Sequence, residues 1–484
     1  LNKKKTNKYE RMMFMNKKPR YLQIVHWMRE KIEQGEWVIG SKIPTQREIA
    51  EKFGVNRSTV ITAIEIVKSE GLLEGKAGSG IYVIHNQWSL DSEISPPDWN
   101  DLTKWSLQPS SVHTVQLINE LETRKDLIQL SKGELGPDLF PHAEIAEAMG
   151  TVSTQIQDFG YGDGLGDLGL RKEISRHLQK SGIKIKPECI LIVSGALQAL
   201  KLITVGILKR GSTVFLESPS YLHSVNLFPA EMIIKRIPVD GNGVRIEELF
   251  QQTFTRNASA LFINPTFHNP TTTSMSLEQR KILLEKCQHY QLPIIEDDIF
   301  RDLWMDEPPP APIKVLDKNG QVLYIGSFSK TIAPGLRIGW LTGPEAVINR
   351  LRDVRMQTDY GSSYLSQLLV KELLVSGMYE NHLKKVRTIL KERRDYLLQL
   401  LTLHFSDVAS WSKPSGGLFI WVLFNKKINM QKLFKQCVNE NVLINPGYIY
   451  HDYQSSIRLS YSYASFEEME KGILTLKKIL LNGV

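Results

Sequence analysis

Apolar residues recur at helical spacing in three short runs near the start of the chain, and past residue 126 they give way to apolar strands alternating with helical segments. The pattern alone divides the protein into a small head and a large body. In the head, Tyr21, Ile24, Val25, Met28 and Ile32 describe one amphipathic helix ending near Gly35. A second follows Pro44, with Thr45 and Glu48 spaced for a capping box, Ile49, Ala50 and Phe53 as its buried stripe, and Gly54 as its stop. The third takes Asn56 as its cap, turns Val60, Ala63, Ile64 and Val67 inward and closes at Gly71, which leaves Arg57, Ser58 and Thr59 exposed at its amino end. Leu72 to Val83 reads as two short strands around a glycine-rich tip containing Lys76 and Gly78. Three helices and a wing over residues 20–84 predict a winged helix-turn-helix whose third helix offers its first residues to base edges.

From residue 85 to about 125 the period lapses, broken by Pro96-Pro97, Pro109 and Ser110-Ser111. This predicts a linker of roughly 40 residues which, if flexible, spans on the order of 35 Å. Trp88, Trp99 and Trp105 are costly to leave in water, so part of it is expected to dock. Residues 126–484 then read as an α/β body with a parallel sheet and crossover helices, in which ligands gather at the carboxyl ends of the strands.

Composition adds a location for the charge. The net +8 of the 484 residues lies almost wholly in residues 1–84, which hold 16 Lys and Arg against nine Asp and Glu. A basic head on a near-neutral body is the electrostatic footprint of a phosphate-backbone binder. Part of that charge precedes any periodic pattern, and residues 1–19 are expected to form a basic tail. Cys189, Cys287 and Cys437 are far apart, which argues against a disulfide framework or a zinc site. No apolar run approaches the roughly 18 residues of a membrane span, and a cytoplasmic protein is expected.

The chemistry sits at the predicted strand ends. Ile190 to Val193 leads through Ser194-Gly195-Ala196 into a helix from Leu197, so free backbone N–H groups and the positive end of the helix dipole face one point, an arrangement suited to phosphate. The next strand brings Tyr221 to the same edge, where its ring could stack on a planar cofactor. Asn269 follows a prolyl turn, and Asp297-Asp298 ends another strand. A carboxylate there could hold the proton of a pyridine nitrogen. Adjacent acids can also bind a metal, but no His or Cys spacing supports one, and none is expected. Val322 to Ile325 finally delivers Ser327, Ser329 and Lys330, with Arg337 seven residues on. A lysine attacks an aldehyde only as the free amine, so burial and neighbouring cations must lower its pKa.

The head's Pro44 to Ala50, Val55 to Val60 and Glu70 to Leu73, ahead of the Gly78-Ser79-Gly80 tip, resemble the GntR family of winged-helix regulators. The resemblance implies DNA contacts at Arg47, Arg57, Ser58, Thr59 and Gly78, and Lys76 adds charge at the wing. Ile61-Thr62 stands where many members carry an arginine, so a bidentate guanine contact is missing there.

Over nearly all of 126–484, the ordered set Ser194-Gly195-Ala196, Tyr221, Asn269-Pro270, Asp297, Ser327-Phe328-Ser329-Lys330 and Arg337 resembles the class I aminotransferases of the pyridoxal-phosphate fold type I group. That resemblance implies a small C-terminal α+β subdomain at about 375–484 and pyridoxal 5'-phosphate as cofactor. Lys330 would form the Schiff base, Asp297 would pair with the pyridine nitrogen, Asn269 would reach the phenolic oxygen and Tyr221 would stack. Ala196, Leu197, Ser327, Ser329 and Arg337 would surround the phosphate, Tyr161 would reach the neighbouring subunit's phosphate, and Arg458 would clamp a carboxylate. Phe300 departs from the pattern, standing where aminotransferases usually place a tyrosine that donates to the cofactor's oxygen.

A GntR head joined to such a body resembles the MocR/GabR group of regulators. This implies a homodimer, each head packed against the partner's body, that binds a double-stranded DNA operator and senses an amine, an amino acid or the cofactor itself. The rival expectation is a working aminotransferase with an accessory DNA reader, and a cofactor-free scaffold is the third.

Overall fold

The computed structural model of the chain describes residues 19–76, 79–85, 112–156, 160–251 and 258–483. The basic tail up to residue 18, the wing-tip Gly78 and all three linker tryptophans lie outside them. Two compact units divide between Leu107 and Gln108.

Among the described residues the head contains three helices, Arg20–Glu33 (α1), Gln46–Phe53 (α2) and Arg57–Ser69 (α3), and an antiparallel pair, Leu73–Lys76 (β1) with Gly80–Val83 (β2). Ile24, Val25, Met28 and Ile32 of α1 meet Val60, Ala63, Ile64 and Val67 of α3 in one core, so the predicted stripes are the buried ones. The capping box forms as spaced: Thr45 Oγ1 accepts the Glu48 N–H, and the Glu48 carboxylate accepts the Thr45 N–H. Asn56 precedes α3, but its side chain makes no capping hydrogen bond.

The body opens earlier than its hydrophobic pattern indicates. His113–Leu121 forms a helix (α4) inside the stretch read as linker, and its Val115, Ile118 and Leu121 are buried in the body's core. Spacings of three over nine residues make too short a stripe to stand out in the sequence, and the partners that cover it are distant.

Its strands follow as Ile128–Gln129 (β3), Ile190–Val193 (β4), Thr213–Ser218 (β5), Ile233–Asp240 (β6), Gly243–Val244 (β7), Ala258–Ile263 (β8), Ile294–Asp297 (β9), Val322–Ser327 (β10) and Gly339–Thr342 (β11). Eight of them form one sheet in the order β4-β11-β10-β9-β8-β5-β6-β7. The inner run from β10 to β6 is parallel, whereas β11 pairs antiparallel to both β10 and β4, and β7 to β6, so the sheet is mixed. Apolar cores on its two faces explain why β4 and β10 are buried along their whole length.

A second sheet, β12 (Ala409–Trp411), β13 (Phe419–Phe424), β15 (Asn445–Pro446) and β16 (Ser456–Ser460), builds the small subdomain, with the long helix Met378–Phe405 and the helix Phe466–Leu481 packed together beside it. Its remaining strand, β14 (Val442–Leu443), pairs in parallel with β3. The subdomain is therefore not a purely C-terminal piece, because α4 and β3 share its core.

Removing the reciprocal cap should loosen the head alone. Thr45→Ala is expected to cost about 1 kcal/mol, seen as a lower melting transition for the head while that of the body stays in place. Two transitions moving together would contradict this.

Candidate functional site

At the carboxyl ends of β4, β5, β9 and β10 a cavity of about 270 Å³ opens, and α4 and β13 close its other side. Its floor is built by turns the strands cannot avoid. After β4, Gly195 adopts φ +88°, and the helix Ala196–Gly206 (α5) starts there without a side-chain cap. The first amides of α5 precede its own hydrogen-bond ladder, so those of Ala196 and Leu197 have no partner within the helix. A Cβ on Gly195 would lie 2.8 Å from Arg337 Nη2, so only glycine lets the guanidinium reach in to the Ser194 carbonyl at 2.8 Å. Ser327 and Ser329 are buried beside it, and Ser327 Oγ accepts the Ser329 N–H at 3.1 Å. Backbone amides, two hydroxyls and an arginine meet here.

Lys330 follows β10 and extends across the cavity, its Nζ donating to the Gly133 carbonyl at 2.6 Å. Burial lowers its pKa from the ordinary lysine value, and the Arg458 and Arg337 charges push the same way against Glu134 and Glu122. Gly133 is not among the residues that the sequence singles out. A Cβ there would sit 3.1 Å from the Phe419 ring and 3.9 Å from Lys330 Nζ, so a side chain would crowd the ring that faces it.

Asp297 ends β9 beneath the cavity. Tyr221, in the turn after β5, lines the cavity and donates its hydroxyl to one Asp297 oxygen, while Asp297 Oδ1 is buried with no hydrogen-bond partner. Burial raises the carboxyl to about 6, against the pull of the Tyr221 hydrogen bond. The neighbouring acid is accounted for structurally: Asp298 forms an ion pair with Arg301 and accepts the Tyr324 hydroxyl at 3.1 Å. Below lies a second layer, in which Glu217 accepts the Asn264 N–H at 2.7 Å and faces His268 at 3.5 Å. Burial pushes Glu217 up to about 8 and His268 down to about 3, so both are neutral over much of the physiological range.

The opposite wall holds Arg458, on β16. Its Nη1 donates to Asn269 Oδ1 at 2.8 Å and its Nη2 to the Ser131 carbonyl at 2.7 Å, and the guanidinium carbon lies 3.8 Å over the Phe419 ring. Its Nε is buried and unpartnered. Phe300 sits against Phe419, edge to face at 5.9 Å, and presents a bare ring to the cavity.

Sequence reasoning thus places eight of its cofactor residues and the clamp around one cavity, Asp297 just beneath it, and misses Gly133, Phe419 and the α4 contributions of Asn119 and Glu122. The Gly133-Glu134-Leu135-Gly136 run is the one available signal for the first; the others lie inside the apparent linker or in an unremarkable apolar strand. Tyr161 is not brought in: it is 87% exposed, packs at 5.3 Å on Tyr360, and its loop is anchored by the Asp163–Arg171 ion pair at 2.7 Å. Among the described residues no group of His, Cys, Asp or Glu side chains could hold a metal, and no helix is long and apolar enough to cross a membrane.

In the head, Arg47 and Arg57 line one shallow hollow with Gly54 and Val55 between them. Arg57 and Ser58 are exposed and Thr59 half-buried at the start of α3, and Arg47 pairs with Glu51 at 2.9 Å. Lys76 is exposed on the wing with its ammonium 5.1 Å over Tyr82.

Comparison with known proteins agrees with both halves. The model for aminotransferase class I and II matches residues 125–476, and that for bacterial regulatory proteins of the gntR family matches residues 20–83. The chain is 50% identical to the HTH-type transcriptional regulator YdfD of Bacillus subtilis strain 168, over 96% of each chain. It is 42% identical to the HTH-type transcriptional regulator NorG of Staphylococcus aureus strain N315, over 89% of this chain and 98% of that one. Among solved structures, kynurenine aminotransferase of Pyrococcus horikoshii in complex with PMP superposes with a TM-score of 0.73 at 29% identity, covering 79% of this chain and 98% of that one. LysN, the α-aminoadipate aminotransferase of Thermus thermophilus complexed with N-(5'-phosphopyridoxyl)-L-leucine, gives 0.72 at 28% over 80% and 99%. The fold thus implies pyridoxal phosphate, and the cavity fits it: the orphaned Asp297 oxygen, the Gly195–Arg337 cradle and the amine of Lys330 are the donor set such a group needs.

The buried Glu217 has a measurable consequence. The folded chain holds this proton where the unfolded chain has released it, so its contribution to stability falls as pH rises from 4.5 towards about 8. Glu217→Gln should remove that fall. In cofactor-free protein, the melting-temperature difference between variant and wild type is expected to grow in the variant's favour between about pH 5 and pH 8; a difference independent of pH would show that the carboxyl is ionised throughout.

Proposed function

Because the chain belongs to the aminotransferase class I and II family and joins that body to a gntR-family head, the composition of the MocR/GabR group, we propose that it is a transcriptional regulator whose body binds pyridoxal 5'-phosphate and senses an amino compound or the cofactor itself. The observation that carries the reading is the convergence of Lys330, Arg337, Arg458 and Asn269 on one cavity, with the free oxygen of Asp297 beneath it, in a chain that also presents Arg47 and Arg57 on a winged helix. An operator reader works where the chromosome is, which supports a cytoplasmic setting.

The bound cofactor would supply an aldehyde, for which Lys330 and an incoming amine compete, and a ring that draws electrons from the carbon bearing that amine. The protein's part is positional and electrostatic. Arg337, Ser327, Ser329 and the first amides of α5 hold a phosphate, Asp297 holds a proton on a ring nitrogen, and Asn269 donates to a ring oxygen while its own oxygen keeps Arg458 in place. Arg458 then offers its charge to a carboxylate. Lys330, neutral more readily than an exposed lysine, is the group displaced.

Sensing reaches the operator only if the ligand binds one arrangement of the protein better than another. The exposed Tyr161, assigned to a neighbouring subunit's phosphate, supports a homodimer, and paired heads favour repeated or inverted half-sites. Phe300 favours regulation over turnover, since no hydroxyl at that position steadies the cofactor's oxygen during proton transfer.

Operator binding measured at fixed salt, with and without candidate amines, tests this reading. An effective amine is expected to change affinity by about 5-fold or more, and Lys330→Ala should bind operator yet lose that response. Arg57→Ala should weaken binding and lower the slope of log affinity against log salt by about one. Affinity unchanged by every amine and by removal of the cofactor would overturn the reading, and sustained turnover of an amino acid with a keto acid would make the chain an enzyme instead.

A further inference from the structure

Among the described residues four charge-bearing side chains line the cavity, and only one of them is acidic. Lys330, Arg337 and Arg458 are cations, whereas Glu122, immediately after α4, is a half-buried carboxylate. On the reading above each cation has a task, respectively the aldehyde, the phosphate and the effector's carboxylate. Glu122 has none.

Nor does the protein neutralise it. Glu122 Oε1 accepts the Ser131 hydroxyl at 3.0 Å, and among the described residues no basic nitrogen lies within 4.0 Å of its carboxylate. Lys132, which could reach back, is committed to Glu134 at 3.4 Å and to the face of Tyr463 at 4.1 Å. Both terminal nitrogens of Arg458 are engaged by Asn269 and Ser131. Burial consequently raises the Glu122 carboxyl above the ordinary range, only partly offset by the Arg458 charge. A buried acid left without a cation is a cost that a ligand's cation would relieve.

The surroundings define the rest of that ligand. Ile118 lies one turn before Glu122 and Val115 another turn before that, so all three share the face of α4 that lines the cavity. The wall therefore runs from apolar to anionic, as suits a methylene chain ending in a positive charge. Resting on the cofactor reading, we propose that Glu122 recognises a second, distal cationic group on the effector, so that the compound sensed is a diamino acid or another amino acid with a cationic side chain.

The test is the visible absorbance of the cofactor-loaded, full-length protein titrated with paired ligands that differ only in the distal charge: lysine against norleucine, and ornithine against norvaline. In the wild type the charged member of at least one pair is expected to half-saturate at about tenfold lower concentration. Glu122→Gln should bring that ratio to about one, and Glu122→Asp should retain part of it. Equal half-saturation within both pairs in the wild type overturns the proposal, as does tighter binding of glutamate than of either basic amino acid. It is equally overturned if Glu122→Gln weakens both members of a pair alike and leaves their ratio intact, since Glu122 would then only position Ser131 and Arg458. A response to uncharged amino acids alone ends this inference and spares the cofactor reading; no spectral response to any amine ends both.

Discussion

Crowding positive charge into a shielded cavity is the constraint around which the body is organised. Arg458 is buried with two of its nitrogens on neutral oxygens and its face on an aromatic ring, and among the described residues no carboxylate is paired with it. Such an arrangement is poor for stability, because a buried cation without an anion forfeits much of its hydration. On the proposed reading it favours binding, because the missing anion comes with the effector. Burial also lowers the pKa of Lys330, and the Arg458 and Arg337 charges add to that effect against Glu134 and Glu122.

The fold supports that field by using backbone rather than side chains wherever close approach is needed. Gly195 lets a guanidinium lie against a turn, and Gly133 lets β3's continuation accept the lysine ammonium. A methyl group on Gly195 would lie 2.8 Å from Arg337 Nη2, and one on Gly133 would press on the Phe419 ring at 3.1 Å. Around them the parallel strands present their carboxyl ends in register, and residues far apart in sequence become neighbours without any loop having to travel far.

Much of this is legible in the amino-acid sequence itself. The head's stripes and caps can be read because each helix carries its own start, face and stop within a dozen residues. The cofactor positions can be read because Gly195, Asn269, Asp297, Lys330 and Arg337 sit where predicted strands end, and chemistry at strand ends leaves a local trace. Long-range pairing leaves none. Asp297 and Asp298 look alike in sequence, and only the placement of Arg301 and Tyr221 shows that Asp298 carries a cation while Asp297 accepts a neutral hydroxyl. The helix α4 is hidden because its apolar stripe has no meaning until the small subdomain covers it, and Glu122 is hidden with it.

The parallel pairing of β3 with β14 carries a kinetic implication. It joins Ile128 to Val442, so the body's first strand must wait for nearly all of the body to be synthesised before its hydrogen bonds can form. The head needs no such delay, since its described core is drawn from residues 20 to 83. During translation, then, the head's core can close while β3 still lacks its partner strand, and the cavity is completed later still because Arg458 lies beyond that strand.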